Sequence, residues 1–210
     1  MLSHKNIVQV KDRGVFGGYP FIVMEYLAGG TLRDLIESRD RIPGSVIFSV
    51  AKQIADAIDF SHANGVIHRD VKSSNILFES AIDGRVVLID FGIAKTFRDI
   101  RRDISHYGII GSPAYIAPEI VEGKVITEAS DIYGFGVVLF AMITKRVPFD
   151  DLNEAYAILI AKVSQDSIDI RKYRDIPMDL AVRINKTLTL RSTHVRINHM
   201  SEAHRAYGVA

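Results

Sequence analysis

The sequence contains no cysteine among its 210 residues. This absence excludes disulfide bonds, thiolate nucleophiles, cysteine-ligated zinc sites and iron–sulfur clusters. An excess of charge of one sign is lacking too, because 26 lysines and arginines stand against 25 aspartates and glutamates, for a net charge of +1. A large basic field that would favour nucleic acid or an anionic membrane is therefore absent, and we expect no nucleic-acid partner.

A long hydrophobic run is also missing. The longest nearly continuous apolar stretch covers the 12 residues 132–143, whereas a helix that crosses a bilayer needs about 20. We interpret this stretch as a buried core helix and expect no membrane segment in this chain. Residues 1–5 are polar and basic where a signal peptide would have an apolar core, which favours a cytoplasmic location. The 48% apolar and 24% charged residues are typical of one globular domain.

The apolar pattern predicts a strand pair followed by a mainly helical body. Residues 7–10 and 21–24 are short apolar segments on either side of a glycine-rich turn, which predicts an antiparallel pair. Thr31 is a suitable N-cap for a short helix to about Arg39. Residues 93–116 lack a period and predict a long functional loop. Further helices are predicted at 43–63, 130–144, 151–165 and 177–190, and short strands at 66–67, 76–78 and 86–89.

Polar residues suited to phosphoryl transfer follow these short strands. This reaction needs a carboxylate that orients the attacking hydroxyl, and oxygen ligands that hold Mg²⁺ against the phosphates of a nucleotide. Asp70 and Asp90 supply carboxylates, and Asn75 supplies an uncharged oxygen ligand. Lys72 supplies a compact cation that can neutralise the transferring phosphate.

These residues belong to three motifs that together resemble the catalytic signature of protein kinases. In that family H-R-D-x-K-x-x-N forms the catalytic loop, here residues 68–75. D-F-G binds metal and A-P-E closes the activation segment, which would span residues 90–119. The sequences V-M-E-Y at residues 23–26 and I-H-R-D-V-K at residues 67–72 favour bacterial-type Ser/Thr kinases. The resemblance implies an α+β, protein-kinase-like fold, mainly the helical C-lobe (27–210) with a residual two-stranded piece of the N-lobe (1–26).

The resemblance also implies a role for each polar residue of the loop. Asp70 would be the base that positions the acceptor hydroxyl, and Lys72 would contact the γ-phosphate of ATP. Asn75 and Asp90 would be the ligands of Mg²⁺. His68 would pack beneath the phenylalanine of D-F-G as a structural residue.

Residues 23–32 resemble the hinge of the family, which binds adenine through backbone groups. By this resemblance Met24 would be the gatekeeper, and the Glu25 carbonyl and the Leu27 amide and carbonyl would face the adenine edge. Leu77 would form the apolar floor beneath the ring.

Other positions that agree with the family have structural or regulatory roles there. Asp131 would brace the catalytic-loop backbone, and Tyr133 replaces the usual tryptophan of that helix. Glu119 of A-P-E would pair with Arg196. Ser112, together with Lys72, favours Ser/Thr acceptors. The candidate phosphorylation sites of the activation segment are Thr96, Ser105 and Tyr107.

The resemblance begins at the fourth strand of the family's fold, so it implies a chain truncated at the N-terminus. The 210 residues contain no G-x-G-x-x-G loop and no V-A-I-K-like strand. An upstream or separate N-lobe is therefore an expected partner, and the activity of the chain alone is in doubt. Two functions stay open: a kinase that transfers the γ-phosphate of ATP to Ser/Thr hydroxyls of proteins, and a non-catalytic kinase-like binding or scaffold module. A small-molecule phosphotransferase ranks behind both, because that class lacks the A-P-E segment.

Overall fold

A computed structural model describes residues 2–80, 84–91, 113–152, 154–164 and 168–189. Two small antiparallel sheets, one at the start of the described chain and one after its second helix, accompany a mainly helical body. Short 3₁₀ turns occur at Ser73–Asn75, Pro113–Tyr115 and Ile170–Lys172. The strands are β1 (Val10–Phe16), β2 (Tyr19–Met24), β3 (Ile76–Phe78) and β4 (Val86–Leu88). The helices are α1 (Leu32–Ser38), α2 (Gly44–Ala63), α3 (Pro118–Val121), α4 (Glu128–Thr144), α5 (Ala155–Ser164) and α6 (Met178–Thr187).

The first sheet is the predicted hairpin, but its first strand is displaced along the chain. β1 pairs antiparallel with β2 around a turn in which Gly17 and Gly18 have φ angles of 57° and 85°. The predicted strand at 7–10 is wrong except for Val10, because Ile7 forms a parallel bridge to Leu88 of β4 instead. The pairing of β1 continues through charged, exposed residues, so an apolar pattern does not mark it.

The end of α2 explains why the predicted strand at 66–67 is absent. Gly65 has a φ of 72°, and the amide of Val66 donates to the carbonyl of Ser61 at 2.9 Å. The amide of Gly65 donates to the carbonyl of His62, which completes a Schellman motif. The apolar residue after the glycine therefore ends the helix and begins the loop that follows.

The core is built around α4, which contains the predicted apolar run. Almost every residue of this helix is buried, and it lies against α2 and α6. α2 contributes a buried stripe that includes Val50, Ile54 and Ile58. Each such side chain contributes about 1.5 to 3 kcal/mol when it is fully buried. The expectation of a buried core helix is confirmed, and none of the helices in the described ranges is long and apolar enough to cross a membrane.

The remaining helix predictions hold to within a few residues. Thr31 caps α1 as predicted, and its side chain accepts from the amide of Asp34 in a reciprocal capping box. α5 and α6 begin and end close to the predicted bounds. The short helix α3 and the three 3₁₀ turns are additions that the periodicity did not predict, because elements of three or four residues carry no more than about one repeat of a helical pattern.

Candidate active site

The loop after α2 is held in place by one buried carboxylate. Asp131, in the first turn of α4, is 1% exposed. Its Oδ2 accepts from the amide of His68 at 2.8 Å, and its Oδ1 accepts from the amide of Arg69 at 2.7 Å. Oδ2 also lies 2.8 Å from Nε2 of His62. The predicted bracing of the catalytic loop by Asp131 is confirmed by these contacts.

Three of the predicted catalytic residues lie in one hydrogen-bonded group. Lys72 Nζ donates to Asp70 Oδ2 at 2.7 Å. Asn75 Nδ2 donates to the Asp70 carbonyl at 2.9 Å and to Asp70 Oδ2 at 3.1 Å. The Lys72 and Asp70 side chains are 21% and 23% exposed, so the pair is partly shielded yet open to a ligand. The 3₁₀ turn Ser73–Asn75 brings the side-chain amide of Asn75 back towards Asp70.

His68 connects this group to the start of the D-F-G motif. Its Nδ1 accepts from the amide of Asp70 at 3.2 Å, and its Nε2 lies 2.9 Å from the carbonyl of Ile89. Burial lowers the pKa of His68 below its usual value. The neutral imidazole with its proton on Nε2 satisfies both contacts. As predicted, the ring packs against Phe91, with 4.5 Å between ring centres.

The structure places Asp90 directly beside the loop. The amide of Ile89 donates to the carbonyl of Asn75 at 2.9 Å, and Asp90 follows with an exposed side chain and a φ of 57°. Both hydrogen bonds of Asn75 Nδ2 go to Asp70, so its Oδ1 is the atom that could bind a metal ion. A carboxylate and an amide oxygen fit Mg²⁺, which takes oxygen ligands and usually few from the protein. No group of three or more His, Asp or Glu within the described ranges, this site included, could hold a metal ion by itself.

The predicted hinge segment leaves β2 and runs beside β3, where the amide of Gly29 donates to the carbonyl of Phe78 at 3.0 Å. Leu27, which is 9% exposed, belongs to a small apolar cluster with Val87, against which Leu77 packs. Met24, at the end of β2, is 38% exposed. The structure thus brings Leu27 and Leu77 together and places Met24 and Glu25 just before them in the chain.

Glu25 is fixed by a bidentate ion pair. Arg85 NH1 and NH2 donate to its two carboxylate oxygens at 2.7 and 2.9 Å. This pair holds the pKa of Glu25 below its usual value. The amide of Glu25 donates to the carbonyl of Gln9 at 3.0 Å, which ties the hinge to the residue before β1. The sequence pattern did not indicate Arg85, because nothing marks an arginine just before a strand as the partner of the predicted hinge.

A groove of about 760 Å³ opens next to Lys72. Its walls come from α1, the 3₁₀ turn Ser73–Asn75, the segment 113–115 and the residues that follow α4. The Ser73 Oγ and the Tyr115 hydroxyl lie 3.0 Å apart and join two of these walls. Its lining includes Arg33, Lys72, Ser73, Tyr115, Lys145 and Arg146.

Lys162 of α5 is a functional candidate that the sequence interpretation missed. It is 0% exposed, and its Nζ donates to the carbonyls of Ala114 and Ile116 at 2.6 and 2.5 Å. The ammonium also lies 4.7 Å from the ring centre of Tyr133. The available signal was a lysine within the apolar run 155–163, where a charge would otherwise be costly.

Several predictions lie partly or wholly outside the described residues. Glu119 is buried at 4% exposure and accepts from Ser130 Oγ at 2.8 Å. Its predicted partner Arg196 lies outside the described ranges, and so does Ser112. The same holds for the candidate phosphorylation sites Thr96, Ser105 and Tyr107.

Comparison with known proteins agrees with this geometry. The family model of the protein kinase domain matches residues 1–201. A probable serine/threonine-protein kinase of Clostridium acetobutylicum is 40% identical over 180 residues, which are 85% of this chain and 27% of that protein. The serine/threonine-protein kinase PrkC of Bacillus subtilis is 38% identical over 150 residues, 71% of this chain and 22% of that protein.

A third relative gives the same result. The probable serine/threonine-protein kinase PknB of Lactococcus lactis is 38% identical over 167 residues, 80% of this chain and 26% of that protein. The chain thus spans about a quarter of the length of the curated relatives it matches. The expected mostly helical, protein-kinase-like α+β fold is confirmed. With nearly its whole length matched, this chain belongs to the protein kinase family.

Proposed function

We propose that this chain carries the catalytic site of a serine/threonine protein kinase, which transfers the γ-phosphate of ATP to Ser/Thr hydroxyls of proteins. The observation that carries the proposal is the group formed by Asp70, Lys72 and Asn75 around Asp70 Oδ2. A purely structural loop has no need of a partly exposed carboxylate, ammonium and amide directed at each other. The names of the relatives add support for protein acceptors with Ser or Thr.

In this proposal Asp70 orients the acceptor hydroxyl and accepts its proton, because a carboxylate that is partly exposed at the loop can reach an incoming group. Lys72, at 2.7 Å from Asp70, neutralises negative charge on the transferring phosphoryl group. Asn75 and Asp90 would hold Mg²⁺, which supplies charge neutralisation for the phosphates when it is bound. Asp131 and His68 keep the loop in position without contacting the reacting atoms.

For ATP we propose the hinge as the adenine site. Leu27 and Leu77, which share the apolar cluster beside β4, would cover the ring. The backbone of Glu25 and Leu27 would bind its edge, and Met24 would limit the depth of the pocket. The Arg85–Glu25 ion pair supports this proposal, because it fixes the backbone where a ligand edge would be recognised. A cytoplasmic location remains a prediction of the sequence.

A transfer assay with radiolabelled ATP and dephosphorylated casein tests the proposal. We expect Asp70→Asn to lower the rate by at least about 10²-fold, the usual scale for a positioned acid–base group. The thermal midpoint should stay close to that of the unmodified protein. Asp179→Asn is the matched control, because Asp179 is an exposed residue of the first turn of α6.

The alternative, a non-catalytic kinase-like module, makes the opposite prediction for the same assay. Transfer would be undetectable in the unmodified protein, and Asp70→Asn would change nothing. Equal transfer rates for the unmodified protein and Asp70→Asn would reject the catalytic role of Asp70.

A further inference from the structure

The side chain of Lys162 is fully buried, and its ammonium links α5 to the segment 114–116. Two carbonyl oxygens, of Ala114 and Ile116, accept from Nζ at 2.6 and 2.5 Å. The Tyr133 ring faces the same ammonium at 4.7 Å, within the range of a cation–π interaction. Burying a charge is costly unless it is well compensated. The two carbonyls and the ring compensate the ammonium here, and the hydrogen bonds tie α5 to the segment 114–116.

The segment that Lys162 holds is the one that carries Tyr115. The two accepting carbonyls belong to the residues on either side of Tyr115. These two hydrogen bonds of Lys162, which we call the Lys162 clamp, therefore fix Tyr115 from both sides. Tyr115 then places its hydroxyl 3.0 Å from Ser73 Oγ. Burial raises the pKa of Tyr115, so its hydroxyl stays protonated and able to form this hydrogen bond.

Through Tyr115, Lys162 acts on the groove beside the catalytic group. Pro113 and Tyr115 form one wall of that groove, and Lys72 and Ser73 form another. α4 supports both sides, because Asp131 holds the catalytic loop and Tyr133, two residues later, faces Lys162. Loss of the clamp would release one wall of the groove and leave the Asp70–Lys72 pair in place.

We propose that Lys162 is a positioning residue for the protein acceptor. It fixes the Pro113–Tyr115 wall, and it thereby sets the affinity of the groove for a Ser/Thr-containing segment without affecting the binding of ATP. This inference rests on the proposed function in one respect, since it takes the groove next to Lys72 as the place where the acceptor enters.

The test compares Lys162→Met with Leu159→Ala. The methionine keeps the length and the apolar stem of the lysine and removes the ammonium. Leu159 lies on the same helix and is 5% exposed. Its replacement by alanine removes buried apolar contacts and leaves the Lys162 clamp unchanged, so it is the control. With dephosphorylated casein as the acceptor, we expect Lys162→Met to raise the KM for casein by at least about tenfold. The KM for ATP should change by less than about twofold in both variants.

A rescue experiment separates the ammonium from general packing. The chain contains no cysteine, so Lys162→Cys gives a unique thiol that can be alkylated with 2-bromoethylamine in denaturant before refolding. The product carries an ammonium at nearly the same distance from the backbone as lysine. We expect the KM for casein to return towards that of the unmodified protein, whereas alkylation with iodoacetamide, which adds no charge, should not restore it.

The outcomes distinguish the inference from the proposed function. If the unmodified protein transfers no phosphate, the proposed function fails. The inference is then tested by measuring the affinity of each variant for fluorescein-labelled casein by fluorescence anisotropy. An unchanged KM or affinity in Lys162→Met, with only a lower thermal midpoint, overturns the inference. If Lys162→Met does not fold, Tyr115→Phe removes the link to Ser73 from the same wall, and an unchanged KM for casein in that variant overturns it equally.

Discussion

The carboxylate of Asp131 accepts a hydrogen bond of 2.7 Å from the amide of Arg69, a residue with a φ of 70°. A non-glycine residue in the left-handed region costs roughly 1 to 2 kcal/mol, so it persists only where the surroundings compensate. Asp70 is the next residue along the chain. The orientation of the proposed catalytic carboxylate therefore depends on a buried carboxylate of a helix far away in the sequence.

Replacing Asp131 by asparagine tests this dependence. The side-chain amide would have to direct an N–H group at a backbone N–H of the loop, so at least one charge-assisted hydrogen bond is lost. We expect the free energy of unfolding to fall by roughly 1.5 to 3 kcal/mol, measured by urea denaturation. Phosphoryl transfer should fall in parallel. The exposed Asp179→Asn should change stability by less than about 1 kcal/mol, and an equal loss in both variants would contradict the bracing role.

The pKa of His68 predicts a pH dependence of stability. Burial lowers it in the folded protein, whereas the unfolded imidazole titrates near 6.5. Between the lowered folded pKa and 6.5 the unfolded state binds more protons, so the free energy of unfolding decreases as the pH falls through that window. Above it the contribution of His68 is constant.

Two measurements check the His68 prediction. An NMR titration should place the protonation midpoint of this imidazole below 6.5. Urea denaturation should show that the stability difference between the unmodified protein and His68→Gln becomes smaller as the pH is lowered, because the other titrating groups cancel in that difference. A midpoint at or above 6.5 would mean that the ring is not buried as a neutral group.

The proposed catalytic group was predictable from the sequence because its members are close along the chain. Asp70, Lys72 and Asn75 lie within one loop, so a short motif fixes which side chains can meet, and the structure brings them together. The hairpin was less predictable. Most of β1 is polar or exposed, and its register is set by the turn at Gly17 and Gly18 rather than by an apolar pattern.

Contacts between distant segments were predictable only where a resemblance supplied them. Asp131 was expected at the catalytic loop because the family has an aspartate there. Lys162 and Arg85 have no such precedent in the sequence pattern, and their partners are backbone carbonyls and a hinge carboxylate many residues away. Every residue has a backbone carbonyl, so the identity of a residue does not show that its carbonyl accepts from Lys162. The sequence therefore gives no pair of complementary side chains from which this contact could be inferred.

Glu119→Ala should destabilise the protein strongly. The residue is 4% exposed and accepts from Ser130 Oγ at 2.8 Å, and the sequence predicts an ion pair with Arg196. If the predicted pair is fully buried, removing Glu119 leaves an uncompensated charge, at a cost of roughly 3 to 5 kcal/mol. Ser130→Ala removes a single hydrogen bond and should cost about 1 kcal/mol.

A double-mutant cycle in urea denaturation identifies the partner of Glu119. Glu119→Ala and Arg196→Ala should each destabilise the protein, and the double variant should be much less than additive if the two side chains interact. Additive losses would reject the predicted pair and leave the Ser130 contact as the identified one.

Gly134 of α4 should resist substitution by alanine although it lies inside a helix. A Cβ at this position would lie 2.6 Å from the carbonyl oxygen of Val71 and 3.1 Å from its Cβ. Val71 connects Asp70 to Lys72, so relief of the clash must move the catalytic loop. Displacements of about 1 Å in an active site can cost on the order of 10² in rate, and we expect kcat to fall at least about tenfold.

Gly44→Ala is the matched control. Gly44 is the first residue of α2, and a Cβ there would meet nothing within 4 Å. Alanine is favoured over glycine in a helix by about 1 kcal/mol, so stability should be equal or higher and transfer unchanged. For Gly134→Ala the same helical preference is opposed by a clash that costs roughly 1 to 3 kcal/mol. Unchanged kcat in Gly134→Ala would show that the loop can shift away from α4 without loss of the Asp70–Lys72 geometry, and the close approach of Val71 would then have no part in positioning the site.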